Sequence, residues 1–162
     1  MPITIPNHGG GGIAIRGDGA VTIQNSIVAG NTAMTYPTTA KHTQWPDVSG
    51  TFTTGEISGT FTSLGGNLIG DSTGSTSWLE GELVGTAEEP IDALLDTLNL
   101  NDPGLTPTFA LFPGSPAIDA VACMAGVTTD QLGITRPQCP FCDIGAFEII
   151  YSHIIFMPII FK

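Results

Sequence analysis

Arg136 is where chemistry would be sought first in this chain. It is the only cation between Lys41 and Lys162, and three carboxylates, Asp119, Asp130 and Asp143, surround it in sequence. An arginine among acids can bind an anionic substrate through its planar fork of donors, or it can be used up in a structural ion pair. The block around it is short and rich in turns, so the structural reading is preferred: Arg136 is expected to pair, partly buried, with Asp119 or Asp143.

Cys139-Pro-Phe-Cys142 has the spacing of a redox or zinc half-site. A zinc site usually takes four ligands, and neither a second cysteine pair nor a histidine at ligand spacing accompanies it. Asp47 and Asp71 lie 24 residues apart (71 − 47), as do Glu56 and Glu80 (80 − 56). If strands stack at that period, like charges meet on neighbouring strands, which is unfavourable unless a cation sits between them. Asp47, Asp71, Glu56 and Glu80 are therefore a candidate calcium set. The competing reading is that they point into water from loops.

Other constellations are weaker. Arg16-Gly-Asp18 matches a cell-adhesion tripeptide, but its glycine and aspartate are explained by a turn. His8, His42 and His153 are scattered. Trp45 and Trp78 could stack on sugars, though covering a core edge is the simpler role. Lyases acting on acidic polysaccharides need a base and cations that neutralise uronate charge, and only Arg16 and Lys41 occur in the N-terminal region. Hydrolases need two carboxylates at a set separation, a pattern that a chain with 15 acids contains by chance. No phosphate loop, dinucleotide fingerprint or nucleophile elbow is present. No catalytic residue is assigned.

The elements that would hold these residues are short strands. Ile13-Ala-Ile15, Val21 and Ile23 in Ala20–Asn25, and Ser26–Asn31 are glycine-bounded and alternate or run apolar. Two such strands separated by a tight asparagine bend make one coil of a β-helix, and Asn25 is suited to that corner. Further short strands are expected at 47–53, 56–63 and 65–71. In the last quarter, strands are expected at 117–120 and 143–148, with a turn at Asp130–Gly133. One segment is expected to be a short helix or an irregular stretch: residues 88–98 start with acids and Pro90 and place Leu94, Leu95 and Leu98 on one face.

Composition agrees with an all-β domain. The 162 residues include 21 glycines and 12 prolines, suiting tight turns rather than helices, and 41% are hydrophobic, enough for a core. Lys+Arg is 4 against Asp+Glu 15, a net charge of −11. Such a chain repels phosphate backbones and anionic membrane surfaces, so no nucleic-acid partner is expected. The apolar end, residues 149–162, is shorter than the roughly 20 residues of a spanning helix and contains Pro158, so no membrane span is expected.

Six segments together resemble a known family. Pro46-Asp-Val-Ser-Gly-Thr-Phe, Leu64-Gly-Gly-Asn-Leu-Ile-Gly-Asp71, Pro90-Ile-Asp, Thr106-Pro-Thr, Pro113-Gly-Ser-Pro-Ala-Ile-Asp119 and Cys142-Asp-Ile-Gly-Ala-Phe-Glu148 are similar to the choice-of-anchor Q domain. That region follows right-handed parallel β-helices in secreted bacterial proteins. The chain departs from the pattern at Leu132, where the family carries an arginine, and in repeating Ser49-Gly-Thr-Phe-Thr as Ser58-Gly-Thr-Phe-Thr. The resemblance implies terminal coils of a right-handed parallel β-helix (1–71), an irregular β cap (72–148) and an apolar final strand or attachment tail (149–162). It implies a secreted or cell-surface location and no defined activity.

Secretion makes a disulfide the default. Cys123–Cys142 would close a loop around the Asp130 turn, a constraint of roughly 3 kcal/mol, and Cys123–Cys139 is the alternative. Met1–Pro6 has no signal-peptide pattern, so the chain is expected to be the C-terminal part of a longer protein, or to start at a misassigned methionine. Ile3, Ile5, Ile13 and Ile15 would then form a raw edge against which upstream coils pack. The expected function is non-enzymatic: capping and surface attachment of a β-helix protein. The alternative is the C-terminal part of a polysaccharide-active or carbohydrate-binding β-helix, with no cofactor beyond possible calcium.

Overall fold

The computed structural model describes residues 12–15, 19–31, 47–49, 60–73, 75 and 78–150. Its regular elements are all strands: β1 (Ile13–Ala14), β2 (Ala20–Ile23), β3 (Ile27–Val28), β4 (Val48–Ser49), β5 (Thr60–Ser63), β6 (Leu68–Ile69) and β7 (Leu83–Val84). Every ladder between them is parallel: β1 with β4, β2 with β5, and β3 with β6 and β7 in that order. Residues 13–28 and 48–69 are thus two passes of the chain through the same three strand positions. A further pass adds β7, so the parallel ladder runs on beyond residue 71.

The β3–β6–β7 sheet explains why its strands are apolar dipeptides rather than alternating ones. Ile27, Leu68 and Leu83 stand in one row across it, and Val28, Ile69 and Val84 in the next. Neighbouring residues of a strand face opposite sides, so the two rows enter different cores. Ile69 is joined by Ile15 and Phe61, with Val28 and Val84 packed against them. Leu68 is joined by Ala93, Leu111, Ala117 and Ile144 from the C-terminal segment, with Ile27 and Leu83 packed against them. Leu68 and Ile69 are both fully buried. A parallel sheet covered on both faces reads as a continuous apolar run.

Corners are held by side chains where the backbone leaves the ladder. Asn25 adopts φ 46°, a left-handed conformation asparagine tolerates, and its N–H donates to Gly65 O at 3.1 Å. The next N–H, of Ser26, donates to Asn67 Oδ1 at 2.9 Å. Asn67 is fully buried, and its amide nitrogen donates to Ser63 Oγ at 2.8 Å and to Glu82 Oε1 at 2.7 Å. At the opposite corner Asp47 accepts from the N–H groups of Asn31 (2.7 Å) and Asp71 (2.9 Å) and from Asn31 Nδ2 (3.0 Å). Gly70 has no side chain because a Cβ there would run into the Asp47 carboxylate and the Ala29 backbone.

Residues 88–98 take the irregular of the two expected forms, not the helix. Asp92 Oδ1 instead accepts the Leu94 N–H, Leu94 takes φ 49°, and Leu95 and Asn99 make antiparallel bridges to Leu111 and Thr108. The backbone of this segment finds its partners across an irregular arm, so the turn at Asp92 overrides helical periodicity. Residues 117–120 and 143–148 are not strands either. Positive φ at Asp119 (50°) and Gly145 (96°) breaks the extended chain, leaving single bridges Val121–Cys142 and Thr129–Thr135. Of the expected raw edge, Ile15 is buried in the inner core with Ile13 packed against it, and Ile3 and Ile5 lie outside the described residues.

Candidate functional site

The acids of the C-terminal segment converge on backbone donors. A loop without ladders still has N–H groups to satisfy, and carboxylates can satisfy several at once. Asp130 Oδ1 accepts from Leu132 and Ile134, both at 2.8 Å, and its Oδ2 from Glu148 N–H at 2.9 Å. Glu148 accepts from Gln138 (3.0 Å) and Asp143 (3.1 Å). Asp143 accepts from Asp119 (2.8 Å) and Ile149 (2.7 Å). The three carboxylates lock four loop segments into one knot. A Cys123–Cys142 disulfide crosses it, leaving Cys139 free. Leu132, which stands where the resemblance would place an arginine, is buried against Gly104.

Arg136 sits inside the knot, and the identity of its partner is a correction. Its Nε lies 3.2 Å from Glu148 Oε2, both side chains being almost sealed from solvent, whereas the expected partners were the carboxylates of Asp119 and Asp143. The Nε–H does not point along the contact, so the attraction is coulombic rather than a directed hydrogen bond. Nη2 donates to Gly145 O at 2.8 Å and Nη1 to Asp143 O at 3.3 Å. Asp143 therefore meets the guanidinium through its carbonyl, because its carboxylate is taken by Asp119 and Ile149 N–H groups. Burial pushes Asp143 and Glu148 above the ordinary carboxylate range, against backbone hydrogen bonds and the arginine charge that pull them down. Buried, with Nη1 and Nη2 each donating to a loop carbonyl and Nε facing Glu148, Arg136 holds the loops of the knot together.

Glu82 behaves oppositely. Burial raises it, but hydrogen bonds from Ser63, from the Leu79 N–H and from Asn67 outweigh that and leave it below the ordinary value. Neither Glu82 nor Glu148 stood out in the sequence. The usable signal was that each stands within three residues after a single glycine, Gly81 or Gly145, which turns the chain with positive φ.

Of the proposed calcium set, the structure joins Asp47 to Asp71 through backbone: Asp47 N–H donates to Asp71 O at 2.8 Å, and Asp71 N–H returns to the Asp47 carboxylate. The Asp71 carboxylate accepts Thr73 N–H at 2.9 Å. Both acids line a cavity of about 440 Å³ with Asp92. Glu80 is exposed elsewhere, beside the Leu79–Glu82 turn, and Glu56 lies outside the described residues. Among the described residues no three His, Cys, Asp or Glu side chains are arranged to hold a metal ion. Trp78 covers the inner core, its ring 4.9 Å from that of Phe61. Arg16–Asp18, the three histidines, Trp45 and residues 151–162 lie outside the described residues.

A groove of about 600 Å³ lies between the 95–111 arm and the 144–147 loop. Leu98, Phe109, Ile144 and Phe147 line it, with polar members that include Asn25, Ser26, Thr108 and Gln131, and none of its lining residues is titratable. It offers van der Waals contact, with no acid or base of its own. No helix among the described residues is long and apolar enough to cross a membrane. No protein-family model, curated protein or solved structure matches the chain.

Proposed function

We propose that this chain forms the closing coils and lateral cap of a right-handed parallel β-helix protein of the secreted bacterial kind, with a structural and surface-attaching role rather than a catalytic one. The observation that carries the reading is the pair of rows in β3–β6–β7, one facing the inner core and the other covered by residues 93–147. A stacked sheet that ends needs its apolar outer face covered, and Ala93, Leu111, Ala117 and Ile144 pack against that face. On the opposite side, β1, β2 and β3 each have one neighbouring strand among the described residues, so preceding coils can extend all three ladders in parallel. The net charge of −11 keeps such a surface soluble, and the disulfide suits an oxidising location. Protease shaving of intact source cells, read with an antibody to residues 91–149, tests the assignment. Surface release of a disulfide-bonded fragment is expected, and retention inside the cells would refute it.

A carbohydrate-contacting role within the same architecture is favoured by one feature, the Phe109 and Phe147 rings beside the groove. Titration with neutral and uronate oligosaccharides tests it: a saturable heat lost in Phe109→Ala supports contact, and no heat removes it.

A further inference from the structure

The irregular arm that covers the outer face of the sheet leaves an apolar surface of its own. Leu98, Leu100, Leu105, Phe109 and Phe112 lie within 94–112, and each is exposed. Leu98 and Phe109 also stand in the groove between the arm and the 144–147 loop. Large apolar side chains gathered in one exposed place mark a surface that something covers.

The arm has a free backbone edge at the same groove. Thr108 and Asn99 exchange N–H···O bonds of 2.9 and 3.1 Å, the Asp96 N–H donates to Ala110 O, and the Phe112 N–H donates to Leu94 O. Backbone groups alternate in direction along an extended chain, so Phe109 and Leu111 turn theirs away from the 94–99 side. Neither residue has a backbone hydrogen bond among the described residues. Leu111 is buried, and an unpaired N–H or C=O is costly there. Both residues line the groove. Two such residues, two positions apart, are the row to which an extended segment adds as a strand.

The chain itself supplies such a segment. Phe147 lines the groove, and the described residues end three further on at the exposed Ile150. The sequence continues Tyr151-Ser-His-Ile-Ile-Phe-Met-Pro-Ile-Ile-Phe-Lys162. These residues are rich in isoleucine and aromatics, which suit a strand. They include no Asp or Glu and end on a lysine, in a chain of net charge −11. The six residues from Ser152 to Met157 span about 20 Å when extended, and they begin within a few residues of the groove wall.

We infer that this groove is the seat of the chain's own C-terminal tail, with residues 152–157 running along Phe109–Leu111 as an added strand. The tail takes up the free N–H and C=O groups of that edge and covers Leu98, Phe109 and Phe147. Pro158 has no N–H to give a ladder and ends the strand. A seated tail and an oligosaccharide compete for Phe109 and Phe147.

Hydrogen exchange on the full chain tests the seat. The Phe109 amide should exchange at least about tenfold more slowly than in the unfolded chain. Ile155→Asp/Phe156→Asp sets charge against the apolar groove and should abolish that protection. The Leu68 amide, bonded to Ser26 O in the sheet, should stay protected in both. A Phe109 amide that is unprotected in the full chain, or equally protected in the variant, would overturn the inference. A second variant, Phe156→benzoylphenylalanine, keeps the tail apolar. Irradiation should join it to residues 95–111 or 144–147 of the same chain. Adducts between chains would give the groove to a second copy and overturn the seat, as would adducts confined to other parts of the chain.

Discussion

Leu68 and Ile69 are consecutive, both fully buried, and belong to two different hydrophobic cores. One two-residue strand therefore joins the interior of the coil stack to the cap lying on its outside. Truncating Leu68 should leave a hole between sheet and cap. Leu68→Ala is expected to cost about 2–5 kcal/mol, and Leu64→Ala, at a side chain 54% exposed, less than about 0.5 kcal/mol. Urea midpoints compare the two, and equal losses would contradict the two-core arrangement.

Arg136 and Glu148 form a sealed ion pair at 3.2 Å. Removing one member strands the other, so Arg136→Ala should destabilise by about 3–5 kcal/mol. Arg136→Lys should recover only part of this, since one ammonium cannot reach Glu148, Gly145 O and Asp143 O in the arginine's planar geometry. Thermal melts of both variants decide the point, and a melt unchanged in Arg136→Ala would show that the pair contributes nothing.

Asp47 substitutes for backbone acceptors at the corner shared by two passes. Asp47→Ala leaves three donors, on Asn31 and Asp71, without that acceptor. A loss of about 1–3 kcal/mol is expected, chiefly from the buried Asp71 N–H left without its acceptor. Gly70→Ala should reproduce the effect by pushing the carboxylate away. Chemical denaturation of both variants checks this, and a neutral Gly70→Ala would mean the corner is open.

Acid stability should show two opposed phases. Asp143 and Glu148 are raised above their ordinary 3.8 and 4.5, so the fold prefers their protonated forms. Their contribution grows as pH falls from neutrality through the raised values. Glu82 is lowered below 4.5, so its contribution is present above 4.5 and is lost as pH falls through the lowered value. Stability measured from pH 7 to pH 3 should rise and then fall. Asp143→Asn should flatten the rise, and Glu82→Gln the fall. A monotonic curve shared by all three proteins would contradict these assignments.

Much of the strand region was legible in the sequence. Glycine-bounded apolar dipeptides, the Asn25 corner and the strands at 20–23, 60–63 and 68–69 follow from local chemistry. Cys123 and Cys142 were named as one of two pairings. What local patterns could not show is where a loop's hydrogen bonds go. Leu94, Leu95 and Leu98 have helical spacing, yet Asp92 turns the chain and Leu111 supplies the partner. Asp119 and Asp143 flank Arg136 in sequence, yet the Asp143 carboxylate meets the N–H groups of Asp119 and Ile149, and Glu148 takes the charge. Long-range partner choice depends on packing that spacing does not encode.

Sheet and cap should form one cooperative unit, and native-state hydrogen exchange reads this residue by residue. The amides of Leu68, Gly70, Leu83 and Gly85 bind carbonyls in the sheet, and those of Cys142 and Ile144 bind carbonyls in the cap. All six should open with one common free energy and lose protection together in Ile144→Ala. Cap amides that exchange freely while the sheet amides stay protected would contradict the claim.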